Sequence, residues 1–400
     1  YPLRRLGGAI GWWSAAARRV YAKLVPFAAL AVAAAALSII ALHPPSQLGF
    51  AQKVAVSAYS ILFYVRKTVV PTSLSPLYEM PRQVDPIAAR YVLGYLFAIA
   101  LAAVAWAARR RWPAVAIAAT GFVLITLPML GIVQNGPQIA ADRYTYDAAP
   151  ALAVLAAAAL ILVGRATSGA IATAIGAAAI LALSALTWTQ SGVWHDSKTL
   201  WSRVLAVDSG SSIAHSAMAN VMYRENRIDD GLEQSRRAVE LAPDLAEGYN
   251  ALGVGLARQG KPAEAIGAYE RALALKPEFD EAENNLGVAL AEQGDPASAI
   301  THHARAVAIN PNSSSAQVDW GNALVRLGRT DEAIEHYVAA LRLRPDNADA
   351  HHNWGVALAR AGRYEEAIGQ FQAALRLDPT HVEARAYLEK ATELAKRTSK

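Results

Sequence analysis

Two groups of residues in this 400-residue chain are of types and spacings that could do chemistry. The first is Q-N-G-P-Q-I-A-A-D-R-Y-T-Y, residues 134–146, where Asp142 and Arg143 are followed by Tyr144 and Tyr146 just before an apolar run. A guanidinium offers paired planar donors that match a phosphate, and tyrosine is comfortable at a membrane–water boundary, so the segment suits phosphate or headgroup contact. A local Asp142–Arg143 ion pair within an aromatic belt would use the same residues, and their types leave both open. The second group is the adjacent histidines His302 with His303 and His351 with His352. Neighbours on a helix point about 100° apart, which makes them poor shared ligands and argues against a metal site. No P-loop, dinucleotide fingerprint, G-x-S-x-G or H-E-x-x-H occurs, and the motifs that carry soluble-type catalysis are therefore missing. The chain has no cysteine, so thiolate ligands, thiol nucleophiles and disulfides are excluded.

The elements that must position these residues follow from composition. A 54% hydrophobic content with 18% charge is too apolar for an ordinary soluble chain. Before Gln190 there are 15 Lys+Arg against 4 Asp+Glu, a net +11, and from Gln190 on 23 against 29, a net −6. The basic residues sit between apolar runs, where they face lipid headgroups, so nucleic acid is not the expected partner despite a pI near 9.3. Apolar stretches long enough to cross about 30 Å of hydrocarbon lie near 24–42, 87–108, 113–133, 148–164 and 169–188. Segment 50–70 carries Lys53, Arg66 and Lys67 among Ser57, Tyr59, Ser60 and Tyr64, and either spans or lies in the interface as an amphipathic helix. Arg109 to Arg111 and Arg165 mark cytoplasmic loops by the positive-inside rule, which turns loop 134–147 and everything after the last span outward. Arg4, Arg5, Arg18, Arg19 and Lys23 put the N-terminal end inside, which favours the interfacial placement of 50–70. Residues 1–190 are thus expected to be a multi-spanning membrane domain.

The second half is periodic. Prolines at 243, 277, 311, 345 and 379 keep a spacing of 34. Gly253, Gly287, Gly321 and Gly355 share one repeat position, Ala265, Ala299, Ala333 and Ala367 another, and Ala238, Ala272, Ala306, Ala340 and Ala374 a third. Small residues recur where two helices cross closely, and each proline ends a second helix. Five repeats over 212–379 follow, with a capping helix over 380–400. Trp201 stands where Tyr269, Tyr337 and Phe371 stand later, so 191–211 reads as a connecting half repeat. The fold class is all-α, a polytopic transmembrane helical domain followed by an α-solenoid.

This periodicity resembles the tetratricopeptide (TPR) repeat. The resemblance implies that a peptide or protein binds along the concave face made by the first helices, which points to Asn250, Arg258, Asn284, Asn322, Arg326, His352 and Arg360 among the columns Glu247, Val254, Glu281, Val288, Glu292, Ser315, Val318, Asp349 and Val356. Each of these could equally be a solvated helix face. The Lys and Asn clamp that some such proteins use for C-terminal carboxylates is not present as a set.

Three segments carry a wider resemblance: A-D-R-Y-T-Y before a span, F-Y-V-R-K-T-V-V-P-T-S-L-S-P-L-Y at 63–78, and V-W-H-D-S-K-T-L-W leading into the repeats. Together they look like bacterial TPR-containing membrane glycosyltransferases of the GT-C architecture, similar to protein O-mannosyltransferases and the animal transmembrane-and-TPR O-mannosyltransferases. That resemblance implies a polyprenyl-phosphate sugar as donor, membrane lipid around the site, Arg143, Tyr144 and Tyr146 on the lipid phosphate, and a bacterial inner-membrane location with the repeats periplasmic. It places the catalytic carboxylate upstream of Tyr1, as general base or as ligand of a divalent metal; no cofactor is evident in the chain itself. Asp147-Ala148-Ala149-Pro150 departs from the Leu-Pro-Ser type of sequence expected there. A non-catalytic membrane-anchored adaptor of the cell envelope is the alternative.

Overall fold

A computed structural model describes residues 49–69, 74–79, 84–112 and 163–398, with isolated residues and short runs between 115 and 161. The expected span 24–42, most of 113–133 and 148–164, and Arg143, Tyr144 and Tyr146 lie outside the described residues. The chain divides into two compact units, Tyr1–Ser211 and Ser212–Lys400.

In the first unit, helix α1 (Phe50–Val69) packs on α2 (Ala89–Arg111). Gly94 makes this possible: a Cβ there would lie 2.7 Å from the backbone N of Tyr59, so only glycine lets the two backbones approach. Ser57 and Ser60 are buried in α1, and their hydroxyls donate to the Lys53 and Val56 carbonyls one turn back, each at 2.8 Å. Those bonds satisfy groups that would otherwise be costly to bury. Phe63, Tyr64 and Phe122 form one core cluster, and the buried Lys67 places its ammonium 5.2 Å from the Tyr78 ring and 5.7 Å from that of Phe63.

A short antiparallel ladder joins β1 (Tyr78–Glu79) to β2 (Gln138–Ala140), pairing Tyr78 with Ala140. Periodicity gave no sign of it. Helix α3 (Gly169–Ser191) is capped by Ser168, whose hydroxyl accepts from the Ile171 amide at 3.3 Å, and has no buried residue. Among the described residues two helices are long and apolar enough to cross a membrane, Ala89–Arg109 and Gly169–Trp194. They coincide with two of the five expected spans; α1, with its three basic residues, is not among them.

Helix α4 (Ser197–Val207) begins at Asp196, which accepts from the Thr199 amide. The expected half repeat lies here, but its bonds run into the first unit: Arg203 Nε donates to Leu74 O at 2.9 Å, and Ser211 Oγ to Glu79 Oε2 at 2.8 Å.

The second unit is five helix pairs and a final helix. First helices are α5 (Ser212–Arg224), α7 (Ala246–Arg258), α9 (Asp280–Glu292), α11 (Ser314–Arg326) and α13 (Ala348–Arg360). Their partners are α6 (Ile228–Leu241), α8 (Pro262–Leu275), α10 (Pro296–Ile309), α12 (Thr330–Leu343) and α14 (Tyr364–Leu377), with α15 (Val382–Thr398) packed on α14. Each first helix ends in a left-handed residue: Gly260, Gly294, Gly328 and Gly362 have φ of 77°, 94°, 76° and 76°, and Asn226 takes the same place at 59°. The next amide then reaches back five residues, as Lys261 N to Leu256 O and Arg329 N to Leu324 O, closing the helix end in a Schellman turn.

Within each later pair one ring fills the crossing. A Cβ on Gly253, Gly287, Gly321 or Gly355 would come within 2.5–2.7 Å of Tyr269, His303, Tyr337 and Phe371 respectively. All four rings are buried, and complete burial of an aromatic ring contributes about 2–3 kcal/mol. The 34-residue column of glycines is therefore the floor beneath a column of rings.

Candidate protein-binding cleft

The first helices of four consecutive pairs enclose a cleft of about 410 Å³. Asn220, Tyr223 and Arg224 enter from α5, Asn250, Val254 and Arg258 from α7, Asp280, Glu281, Asn284 and Asn285 from α9, and Ser313 and Ser315 from the start of α11. Stacked pairs bring these residues together because equivalent positions on successive first helices face the same side.

The cleft is polar at its floor and opposite in charge along its length. Asn285 Nδ2 donates to Asn250 Oδ1 at 2.9 Å, so two carboxamides 35 residues apart are fixed in orientation. Arg224 and Arg258 supply positive charge from α5 and α7, and Asp280 and Glu281 negative charge from α9. Burial, reinforced by Asp280, raises the Glu281 carboxyl above the usual range, with Lys276 opposing. The arrangement can hold an extended main chain by its amides while discriminating between charges at its ends.

Of the residues picked from the first-helix columns, Asn250, Arg258 and Asn284 line this cleft and the other four do not. Several are committed within the protein. Asn250 is buried, and Arg258 Nη1 donates to the Tyr223 carbonyl at the end of α5. Arg326 repeats that bond one register on, donating to Ala291 O at 2.5 Å. Asn322 Oδ1 accepts from the Tyr337 hydroxyl at 2.8 Å. His352 is enclosed by the end of the solenoid, its ring 4.8 Å from His381, 5.4 Å from Tyr387 and 5.8 Å from Phe371. Arg360 is exposed on α13.

The adjacent histidines part company. His302, on α10, has its Nδ1 2.6 Å from Glu283 Oε2 on α9, beside a larger hollow of about 790 Å³. His303 turns inward as the ring of the third pair, 2.9 Å from Asn284 Oδ1, and burial lowers its pKa to about 4. His351 lies 2.8 Å from Gln370 Oε1, while His352 turns to the end cluster.

The description of the tetratricopeptide repeat matches residues 250–314 and 318–382. Residues 250–382 are TPR repeats. Similar solved structures include YrrB, described as a TPR protein with an unusual peptide-binding site, at 26% identity, a TM-score of 0.36 and coverage of 46% of this chain and 96% of that one. A thermophilic TPR protein of Thermus thermophilus matches at 22% identity, TM-score 0.42, covering 46% and 99%. The PilF protein of Pseudomonas aeruginosa matches at 22%, TM-score 0.41, covering 51% and 93%. No curated protein matches the chain. The family match lies wholly within the second unit and bears on the repeats rather than on residues 1–190.

Column reasoning missed Asn220, Tyr223, Arg224, Asp280, Asn285 and Ser313 in the cleft, and Asp319 beside it. Tyr223 was hidden because it stands where Ala257 and Ala291 stand in the next two repeats. Asp319 belongs to a column of Ala251, Asn285 and Asn353 whose shared polarity from the third repeat on was a usable signal.

Proposed function

We propose that this chain is a membrane-held scaffold whose TPR repeats capture an extended segment of a partner protein in the cleft formed by α5, α7, α9 and α11. The observation that carries the reading is the cleft itself: amides from Asn250, Asn284 and Asn285 along its floor, with arginines towards α5 and carboxylates on α9. Exposed peptide amides need partners when desolvated, and fixed carboxamides supply them at little entropic cost. Two apolar helices, one without a buried residue, support the membrane attachment. A photo-crosslinking residue placed at Asn220 or Ser315 tests the site. Covalent protein adducts from these positions and none from Glu270, on the second-helix side, are expected; adducts from Glu270 alone would move the site off the concave face.

A second reading, transfer of a sugar from a polyprenyl-phosphate carrier on the outer side of a bacterial inner membrane, is favoured by the pairing of Tyr78 with Ala140. That ladder joins the end of the 63–78 segment to the strand three residues before Arg143, and those are two of the segments on which the glycosyltransferase resemblance rests. In this reading Arg143, with Tyr144 and Tyr146, holds the lipid phosphate, and the repeats bind the acceptor protein. Arg143→Ala is expected to weaken binding of a polyprenyl-phosphate sugar, and unchanged affinity removes Arg143 from that role.

A further inference from the structure

Asp319 on α11 is held in place from two sides. Asn284 Nδ2, on α9, donates to its Oδ2 at 2.8 Å, and Asn322, one turn along α11, donates to it as well. Neither carboxamide is free to turn over. The carbonyl oxygen of Asn284 is taken by His303 Nδ1 at 2.9 Å, and that of Asn322 by the Tyr337 hydroxyl at 2.8 Å. Both NH₂ groups are thereby aimed at one carboxylate by rings rooted in the second helices. Among the described residues no lysine or arginine forms an ion pair with Asp319, and Arg326, the one basic residue of α11, is turned to the Ala291 carbonyl.

The repeat does not need this charge. Its equivalents one and two repeats back are Asn285 and Ala251, and one repeat on is Asn353. Burial is the largest influence on the Asp319 carboxyl and raises it, against the two amide bonds. A desolvated carboxylate without a counter-ion is costly, and a cation brought to it recovers that cost. The position is on the binding side: Asn285, one repeat back, and Ser315, one turn back on the same helix, both line the cleft.

We propose that Asp319 selects the bound segment by its charge, receiving the ammonium or guanidinium of a lysine or arginine side chain while the cleft amides hold the main chain. This rests on the peptide-binding reading above. Asn284 and Asn322 act as positioning residues for the carboxylate.

The test uses the full chain in lipid nanodiscs and two pools of terminally blocked fluorescent peptides about nine residues long, degenerate except for a central Lys or a central Gln, read by anisotropy. The Lys pool is expected to bind about tenfold more tightly, the size of a charge-assisted hydrogen bond. Asp319→Asn should abolish that preference and leave the Gln pool unchanged, with helicity by circular dichroism as the control. Asp319→Ala, the residue at equivalent position 251, is the second variant should the first misfold. Equal binding of both pools by the wild type, or a preference that survives in the variants, overturns cation selection and leaves the peptide cleft standing. Failure to bind either pool overturns both.

Discussion

Tyr223 Oη lies 3.1 Å from Ser235 Oγ, and this contact replaces the ring packing of the later repeats. Ser235 stands at the position of Tyr269, His303, Tyr337 and Phe371, so the first pair has no ring there. Tyr223 supplies one from the first helix instead, and burial raises its phenol above the usual range. The space it needs comes from Gly231 and Gly255, which replace the Ala265 and Ala289 of the next repeat and whose added Cβ atoms would meet the Tyr223 side chain.

Gly255→Ala should therefore destabilise the repeats by about 1–3 kcal/mol through overpacking. Truncating the ring removes the obstacle, so Gly255→Ala should cost much less in a Tyr223→Ala background. Urea unfolding of the four proteins in a double-mutant cycle measures the coupling, and additivity within about 0.5 kcal/mol would refute the compensation.

His303 makes the third pair acid-sensitive. Its pKa falls from 6.5 to about 4 on folding, chiefly by burial with a contribution from His302. A histidine held neutral contributes stability that is complete above pH 6.5 and is lost as pH falls towards 4, in total about 3 kcal/mol. His303→Phe, the residue found at Phe371, should stay stable through that window. It leaves Asn284 Oδ1 without its partner, at about 1 kcal/mol near neutrality. The two stability curves should cross between pH 6.5 and 4, and parallel curves would mean that His303 does not titrate on unfolding.

These two cases show what was legible in the sequence. The period of 34, the helix pairs and their turns could be read because backbone geometry demands small residues, left-handed turn residues and prolines whatever surrounds them. The adjacent histidines read as poor metal ligands, but His303 as the ring of the third pair was not legible, because only packing shows which neighbour turns inward. Trp201 matched the column, yet Arg203 ties its helix to Leu74, a contact across 129 residues that no periodicity encodes. The two-to-three-residue ladder of Tyr78 with Ala140 is too short to leave an alternating pattern. The column of Asp319 shows its polarity, but what holds the carboxylate, Asn284 and Asn322, is visible only once the helices pack.

Arg258 and Arg326 each donate to a carbonyl 35 residues back, at Tyr223 and Ala291, near the end of the preceding first helix. Those carbonyls also accept from the left-handed Asn226 and Gly294 amides. A cation there complements the helix C-terminus. At the equivalent position of the third pair stands Glu292, and the matching carbonyl of Ala257 accepts from the Gly260 amide alike. Glu292→Arg should supply the missing bond and raise stability by about 0.5–1 kcal/mol in urea unfolding. A loss of stability would show that the arginine bonds are incidental to stacking.

Helix α3 presents a surface suited to lipid. Its apolar side chains are exposed on every face, Ile180 at 66%, Leu181 at 70% and Trp188 at 82%, and no residue of the helix is buried. In water such a surface would be an aggregation liability; in a bilayer it is the ordinary lipid-facing surface of a span. Ile180 lies at the middle of Gly169–Ser191, where an arginine costs about 2.5–3.5 kcal/mol on insertion scales. Ile180→Arg should sharply reduce insertion of this helix in a translocon reporter, while Ala170→Arg at its end should have little effect because the side chain can reach the headgroups. Equal behaviour of the two variants would mean that α3 does not cross the bilayer.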